Sequence, residues 1–411
     1  MIAYTLMSIK ISKDEKTIKR ILDRGTYKAI LRKNILKKLT EGKRLNIKYG
    51  IDPTSKNIHL GRASTIQYLK DLSDLGHKII FIVGDFTAKI GDTSDKIDSR
   101  VDLTSKEISE NFKTYKKQLS LIMDLSKVEY RYNSEWLEKI NLEDIIKLTS
   151  IFTVSQMIER DNFSYRFKEG NSIRLKEFLY PIIQGYDSFA IKADIELGGT
   201  DQLFNLLSGR IVQNFFKQEK QDVITKKLLI GTDGRKMSSS WGNVVNITDR
   251  PNDIYAKLMR ITDDNIYQYF ELATRVTDKE LKDIKLEIEK SKGISLMNLK
   301  KDLAFEITQM YSSKKDAIEA EKHFKSTVQQ GNIDKEDIIT VKTHIKESSI
   351  LNLLSNITGQ IPSKSEAKRM IRDGGVYINN KRVKDSDINI KITDGIIVKV
   401  GKRNIVKIEQ N

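Results

Sequence analysis

The stretch Leu45-Asn-Ile-Lys-Tyr-Gly-Ile-Asp-Pro-Thr-Ser-Lys-Asn-Ile-His-Leu-Gly-Arg62 changes its hydrophobic period partway along, and that change decides the fold. Leu45, Ile47, Tyr49 and Ile51 alternate with polar or small neighbours, the two-residue period of a half-buried strand. Pro53 and Thr54 end it. Beyond Arg62, the residues Ile66, Leu69, Leu72 and Leu75 recur at three-residue steps compatible with an amphipathic helix, which Gly76 closes. A second strand follows from Ile79 to Val83. Strand, helix and strand in this order predict a right-handed βαβ crossover, the seed of a parallel sheet that takes ligands at the strands' carboxyl ends. Asp52 and Asp85 fall at those ends.

Outward from this unit, residues 104 to 218 read as mostly helical, interrupted by the glycine-rich Leu197-Gly-Gly-Thr-Asp-Gln-Leu-Phe-Asn205, which has the look of another strand-end loop. Gly231-Thr-Asp-Gly-Arg-Lys-Met-Ser-Ser-Ser240 is too rich in Gly and Ser for a helix interior and reads as an exposed loop. Several helices are expected from 251 to about 335, one opened by a Thr277 and Glu280 capping box. After a basic connector come short helices, then strand-like runs at Val376 to Ile378 and Ile396 to Val400. The expected architecture is α/β. A parallel-sheet domain with a helical insertion spans 1–243, a helical domain 244–335 and a small α+β domain 346–411.

A length of 411 residues suits two or three domains, and 39% hydrophobic against 31% charged residues describes a chain that folds. The absence of cysteine excludes disulfides, thiolate zinc sites and a cysteine nucleophile, and suits a reducing cytosol. Four histidines leave little for a metal cluster, so no metal site is expected. The opening residues carry no basic leader, and no apolar run approaches the roughly eighteen residues of a transmembrane helix; neither signal peptide nor membrane span is expected. A formal charge of +16 invites a polyanion, yet Lys, Ile and Asn are abundant throughout, as a coding bias would give. Charge alone leaves both explanations open.

His59 and Gly61 stand where the first helix begins. A helix N-terminus offers free N–H groups and a positive dipole end to phosphate, and Gly61 lets a ligand approach the backbone. Alone, a His-x-Gly triplet is common and the histidine is equally a cap. Lys236-Met-Ser-Ser-Ser240 adds a flexible cation and three hydroxyls; by itself it is an ordinary polar loop. Together the two segments point to a nucleotide site.

In order and spacing, His59-Leu-Gly-Arg62 resembles the HIGH signature and Lys236 to Ser240 the KMSKS signature of class I aminoacyl-tRNA synthetases. The resemblance implies a Rossmann-like catalytic domain that uses ATP with Mg2+ as substrate and holds no tightly bound cofactor. It implies activation of an amino acid as its adenylate, release of pyrophosphate, and transfer of the acyl group to tRNA. By it, His59, Arg62 and Lys236 are catalytic, and Gly50, Asp52, Gly61, Thr65, Gly199, Asp201 and Ser239 join them around ATP. Arg62 replaces the last histidine of one signature and Ser239 the second lysine of the other. The expectation is that Arg62 supplies part of the cationic stabilisation that Ser239 cannot.

Tyr180, Gln184 and Asp187 are spaced by four and three residues, which puts them on one helical face. Such a face is as readily solvated as buried. The pattern is similar to the Tyr-x-x-x-Gln-x-x-Asp helix of tyrosyl-tRNA synthetases. That resemblance implies that Asp187 accepts the substrate phenol, that Tyr180, Gln184 and Asp92 hold its ammonium, that Asp201 meets the ribose, and that Gln202 lies near the carboxylate. A pocket that bonds a phenol rejects phenylalanine without editing, as the tyrosyl enzymes themselves illustrate. Lys48 stands where a family subgroup has a further phenol-contacting tyrosine, and is taken as a tyrosine-pocket residue. Asn205 stands where tryptophanyl enzymes have histidine, which favours tyrosine.

Near the C-terminus, Ser363 and Glu366 open a helix with Ala367, Met370 and Ile371 on one side and Lys364, Lys368 and Arg372 on the other. Gly374, a strand, an Asn379-Asn380 turn and Lys381-Arg382 complete a compact basic unit. The unit resembles the RNA-binding domain of the ribosomal-protein S-four type, implying that Lys364, Lys368, Arg369, Arg372, Lys381 and Arg382 contact tRNA(Tyr). The family further implies a cytoplasmic homodimer joined through the insertion, with the middle helices meeting the anticodon. Two rivals remain. One is a synthetase-derived RNA-binding or splicing accessory protein, in which Arg62 and Ser239 mark weakened catalysis; the other is a nucleotidyl transferase, which has no need of the C-terminal unit.

Overall fold

The computed structural model describes residues 10–53, 55–91, 104–159, 161–290, 294–329, 338–401 and 404–410. The chain divides into two compact units, Met1–Lys314 and Lys315–Asn411.

The first unit is built on a six-stranded sheet of β1 (Thr26–Ile30), β2 (Asn46–Ile51), β3 (Lys78–Val83), β4 (Val128–Tyr132), β5 (Ile195–Gly199) and β6 (Asp222–Lys226), in the order β1-β6-β5-β2-β3-β4. All neighbours are parallel except β1, which runs antiparallel to β6. The sheet grows one way from β2 through β3 to β4, then resumes on the other side of β2 with β5. The β2/β5 junction is therefore the point where strand order reverses, and there a crevice opens at the carboxyl ends.

Parallel strands are covered on both faces, and β3 shows it: Ile79, Ile80, Phe81, Ile82 and Val83 are all buried. Burying each such side chain contributes roughly 1.5–3 kcal/mol. The half-buried strand expected at 45–51 is a central strand of the sheet, buried at Ile47, Lys48 and Ile51 and open to the cavity at Tyr49 and Gly50. Lys48 is as fully buried as Ile47, because its charge is matched inside the protein rather than by water. The alternation of residue types there does not report exposure.

Helix α1 (Leu60–Asp74) follows β2, with His59 as its N-cap residue in extended conformation. It ends before Gly76, whose φ of +98° favours glycine. The insertion begins with α2 (Ser105–Leu119), opened by a capping box between Thr104 and Glu107. Helices α3 (Leu175–Ala190) and α4 (Leu203–Phe215) flank β5 in sequence and pack closely on each other. A Cβ on Gly185 would lie 2.9 Å from the backbone carbonyl of Ser208, so α3 needs glycine there to reach α4. The 104–218 stretch read as mostly helical thus also supplies β4 and β5, short strands whose apolar runs are too brief to separate from helix by period.

Four further helices, α5 (Pro251–Leu258), α6 (Ile266–Ala273), α7 (Asp278–Lys290) and α8 (Ile294–Tyr311), lie in the same unit. The expected Thr277–Glu280 box is present, with each backbone N–H donating to the other's side chain.

In the second unit, β7 (Ile338–Thr343), β8 (Glu347–Ser349), α9 (Lys364–Arg372), β9 (Val376–Ile378), β10 (Lys381–Arg382), β11 (Asn389–Lys391), β12 (Ile396–Val400) and β13 (Asn404–Gln410) follow in order. They form a five-stranded sheet, β10-β9-β12-β13-β7, and a separate β11-β8 pair. Because β7 pairs with β13, this unit begins ahead of residue 346, where the change in composition had placed its start. Ala367 and Ile371 of α9 bury against Val376, Val398 and Ile408. Asn379 and Asn380 both have positive φ, 44° and 64°, the geometry a tight hairpin requires.

Candidate functional site

A cavity of about 890 Å³ opens at the β2/β5 junction. Every catalytic, nucleotide and amino-acid residue expected from the sequence lines it except Asp92, which lies outside the described residues. Each wall has a different origin. Lys48, Gly50 and Asp52 come from β2 and the residues after it; His59, Gly61, Arg62 and Thr65 from the start of α1; Tyr180, Gln184 and Asp187 from α3. Gly199 ends β5 and Asp201 and Gln202 follow it in a short turn, and Lys236 and Ser239 reach in from the loop beyond β6.

At the α1 end, backbone pairing joins the two signature segments. Leu60 N donates to Val245 O, Ile247 N to Ile58 O, and His59 bridges Asn246, so the helix start and the return of the 231–243 loop share a short ladder. The loop is closed on itself by buried Asn243, whose amide donates to Asp233 Oδ1 at 2.7 Å and to Lys236 O at 3.0 Å. That bond from Asn243 is the main reason the Asp233 carboxyl is held down to about 2. The loop is only partly exposed, since Met237 packs inward.

His59 is buried, and desolvation with the nearby Arg62 and Lys236 cations pushes it down to about 3, so it is a neutral imidazole. Its Nδ1 has no hydrogen-bond partner among the described residues, and a Cβ on Gly61 would come within 3.1 Å of that atom. A neutral histidine at the positive end of the α1 dipole suits a phosphate oxygen, even though the Leu60, Arg62 and Ala63 N–H groups already donate within the protein. Lys236 Nζ meets Asp201 Oδ2 at 2.7 Å. Arg62 contacts the hydroxyl of Tyr115 on α2, with its guanidinium carbon 5.7 Å from the ring centre. Helix α2 also grips the preceding loop: Gln118 accepts from Ile58 N and donates to Lys56 O, and Asn111 donates to Pro53 O.

At the other end of the cavity the expected three residues of α3 do share one face, with Tyr180 and Asp187 buried and Gln184 half-buried. Tyr180 donates its hydroxyl proton to Asp52 Oδ2 at 2.9 Å, and Thr87 donates to Asp52 Oδ1, also at 2.9 Å. Asp187 is fully buried and accepts from Trp136 Nε1 at 2.8 Å and Asn133 Nδ2 at 3.4 Å. Burial pushes its carboxyl up to about 7, against the opposing pull of Lys48, Trp136 and Asn133. Gln202 is oriented by Asn205, which donates to its Oε1 at 2.8 Å. Asp85, the other strand-end acid, is engaged by Ser134 N and Oγ, and is not among the cavity-lining residues.

Sequence reasoning missed Asn133, Trp136, Tyr115 and Glu196. Asn133 and Trp136 follow β4, a strand hidden within the stretch read as helical, so nothing marked them as strand-end residues. The available signal was Asn-Ser-Glu-Trp directly after the alternating Val128 to Tyr132.

In the second unit, Lys364, Lys368, Arg369 and Arg372 are exposed on the side of α9 opposite Ala367 and Ile371, and Lys381 and Arg382 are exposed on β10. Several of these charges have loose partners, Lys368 at 3.9 Å from Asp387 and Arg372 at 3.8 Å from Asp373.

Comparison with known proteins places these features in a family context. The profile of tRNA synthetases class I (W and Y) matches residues 40–329, and that of the S4 domain matches residues 352–396. A tyrosine–tRNA ligase of Thermotoga maritima is 41% identical over 390 residues, covering 95% of this chain and 96% of that protein. One of Francisella tularensis is 43% identical over 390 residues, covering 94% and 97%. Among solved structures, the tyrosyl-tRNA synthetase of Archaeoglobus fulgidus complexed with L-tyrosine superposes with a TM-score of 0.60 at 21% identity, over 75% of this chain and all (100%) of that one. A C-terminally truncated mitochondrial tyrosyl-tRNA synthetase of Aspergillus nidulans gives 0.61 at 19%, over 76% and 93%. At such identities the structures speak for the fold alone.

Proposed function

The chain belongs to the class I tRNA synthetases of the tryptophan and tyrosine group, and from that premise we infer how its cavity carries out the reaction. Its activity is tyrosine–tRNA ligation: L-tyrosine and ATP give tyrosyl-adenylate and pyrophosphate, and the tyrosyl group passes to the 3′ end of tRNA(Tyr). The observation that carries the residue assignment is the single cavity that joins a buried polar face on α3 to a cationic helix start on α1.

In this reading tyrosine enters with its phenol toward Asp187, whose position is fixed by Trp136 and Asn133. Its ammonium lies toward Tyr180 and Gln184, with Asp52 completing the polar wall through the Tyr180 hydroxyl. The adenosine lies along the ends of β2 and β5, where Gly50 leaves open space and Asp201 is ready for the ribose. The carboxylate then attacks the α-phosphate in line, and a P–O bond to pyrophosphate breaks. The chain's share is alignment and charge: neutral His59, the α1 N-terminus, Arg62 and Lys236 stabilise negative charge on the departing group. Mg2+ would arrive with ATP as part of the substrate; among the described residues no acidic or histidine cluster is arranged to hold a resident metal.

The partners follow the same reading. The exposed basic face of α9 and β10 receives tRNA by backbone charge, and the helices of 244–335 form the anticodon-recognition module. Leu142, Ile146, Val154, Phe167 and Leu175 are exposed apolar side chains concentrated in the insertion, and they support a homodimer closed through that surface. None of the described helices is long and apolar enough to cross a membrane; the enzyme is proposed to act in the cytoplasm. Pyrophosphate exchange into ATP, run with each of the twenty amino acids, tests the assignment. A signal with tyrosine alone is expected, and its absence with tyrosine would overturn the reading.

A further inference from the structure

Lys48 and Glu196 lie side by side on β2 and β5, both completely buried, with Lys48 Nζ 2.9 Å from Glu196 Oε1. The ammonium has three protons and three acceptors: Glu196, the Gln184 backbone oxygen at 2.8 Å, and Ser188 Oγ at 2.8 Å. No donor is left for a ligand. Glu196 is equally engaged, accepting from Gln184 Nε2 at 3.2 Å, from Ser188 Oγ at 3.0 Å and from Gln221 Nε2. Four of these contacts reach α3 at residues 184 and 188, which bracket Asp187.

A buried ion pair is a poor stability device, since desolvation offsets most of its attraction and an apolar pair of the same volume often does as well. Its location suggests another use. We propose that Lys48 and Glu196 are a positioning pair for the amino-acid pocket, which locks the Gln184–Ser188 turn of α3 to the sheet and sets the electrostatic surroundings in which Asp187 reads the phenol, without either side chain touching the substrate. The inference rests on the cavity being the tyrosine site, and it reassigns Lys48 from reader to support. The groups facing Asp187 are Lys48 from β2, Glu196 from β5, and Trp136 and Asn133 from the segment after β4. Of the two charged ones, Lys48 is the stronger influence and favours the carboxylate, whereas Glu196 opposes it.

The test compares Lys48→Met, Lys48→Arg and the neutral double variant Lys48→Met with Glu196→Gln, by tyrosine-dependent pyrophosphate exchange between about pH 6 and about pH 9. Lys48→Met is expected to raise the tyrosine KM by about tenfold or more, to raise the ATP KM far less, and to move the acidic limb of the tyrosine kcat/KM profile to higher pH. The double variant guards against misfolding, because it leaves no unpaired buried charge. Its acidic limb is expected between those of the parent and the single variant, and its preference for tyrosine over phenylalanine is expected to fall. Lys48→Arg should restore part of the parent profile. Unchanged tyrosine KM and pH limb in the double variant, or equal losses toward tyrosine and ATP, would overturn the positioning role while the parent's tyrosine-dependent exchange still stands. A parent with no such exchange would instead remove the reading on which the inference rests.

Discussion

Lys236 and Asp201 are salt-bridged at 2.7 Å across the mouth of the nucleotide end, so the cation proposed for the phosphates and the anion proposed for the ribose neutralise each other before ATP arrives. Binding must exchange this pair for contacts to the nucleotide. An interaction gained fully only as pyrophosphate departs affects rate more than affinity. Lys236→Ala should therefore slow adenylate formation by roughly a hundredfold, in line with loss of one preorganised charge-stabilising donor, while the ATP KM changes by less than about threefold. Pre-steady-state measurement of adenylate formation decides it. A loss borne mainly by ATP KM would make Lys236 a ground-state binder.

Arg62 is held by Tyr115, so its charge is aimed rather than free to sweep the helix start. Arg62→Ala should slow activation by about tenfold, and Ser239→Lys should recover much of that loss yet help the parent little. Additive effects in the double-mutant cycle would sink compensation between the two positions.

Asp187 sets specificity against stability. Its carboxyl is raised from 3.8 to about 7, so its contribution to stability is complete below the unfolded value and is lost as pH rises through the folded one. At ~1.4 kcal/mol per unit the full loss has a ceiling of about 4 kcal/mol. Asp187→Asn should raise the thermal midpoint at about pH 8.5 and much less at about pH 5, while narrowing the preference for tyrosine over phenylalanine. An equal midpoint shift at both pH values would show that the ionised form is not the cause.

Much of this cavity's lining is legible in the amino-acid sequence, and the reasons differ by residue. Tyr180, Gln184 and Asp187 share a face because helical period fixes it; whether that face is wet or buried depends on the partners it meets, Asp52, Glu196, Trp136 and Asn133, a tertiary fact. Asn133 and Trp136 reach Asp187 from about fifty residues earlier in sequence, and no local period links them. The first sheet is legible around β2 and β3 and, at Leu197–Asn205, as the strand-end loop that closes β5. Thr26–Ile30 of β1 is partly exposed, and Asp222–Lys226 of β6 is fully buried despite its charged ends, so neither presents the alternation that marks a half-buried strand.

Removing residues 330–411 should leave tyrosine activation within about threefold of the parent while weakening tRNA charging severely, because the exposed cations of α9 and β10 go with that segment. Cutting at 346 instead would strand β7, which pairs with β13, and should give a poorly soluble product. Charging by the full chain should weaken with salt much as it does on truncation. Equal losses in activation and charging would make the C-terminal unit a scaffold rather than an RNA contact.

The short ladder between Ile58–Leu60 and Val245–Ile247, together with the Asn243 clasp, anchors both ends of the 231–243 loop against the start of α1. A ring tied at its neck can vary at its rim. Within that ring Asp233 is clasped by Asn243, Lys236 meets Asp201 and Met237 packs inward, so replacements that leave the neck in place are expected at the exposed positions Ser239 to Trp241, whereas a substitution at Asn243 disturbs the loop throughout. Ser239 sits on the exposed rim of this anchored loop, so a side chain there can change while His59 and Lys236 still face the same cavity.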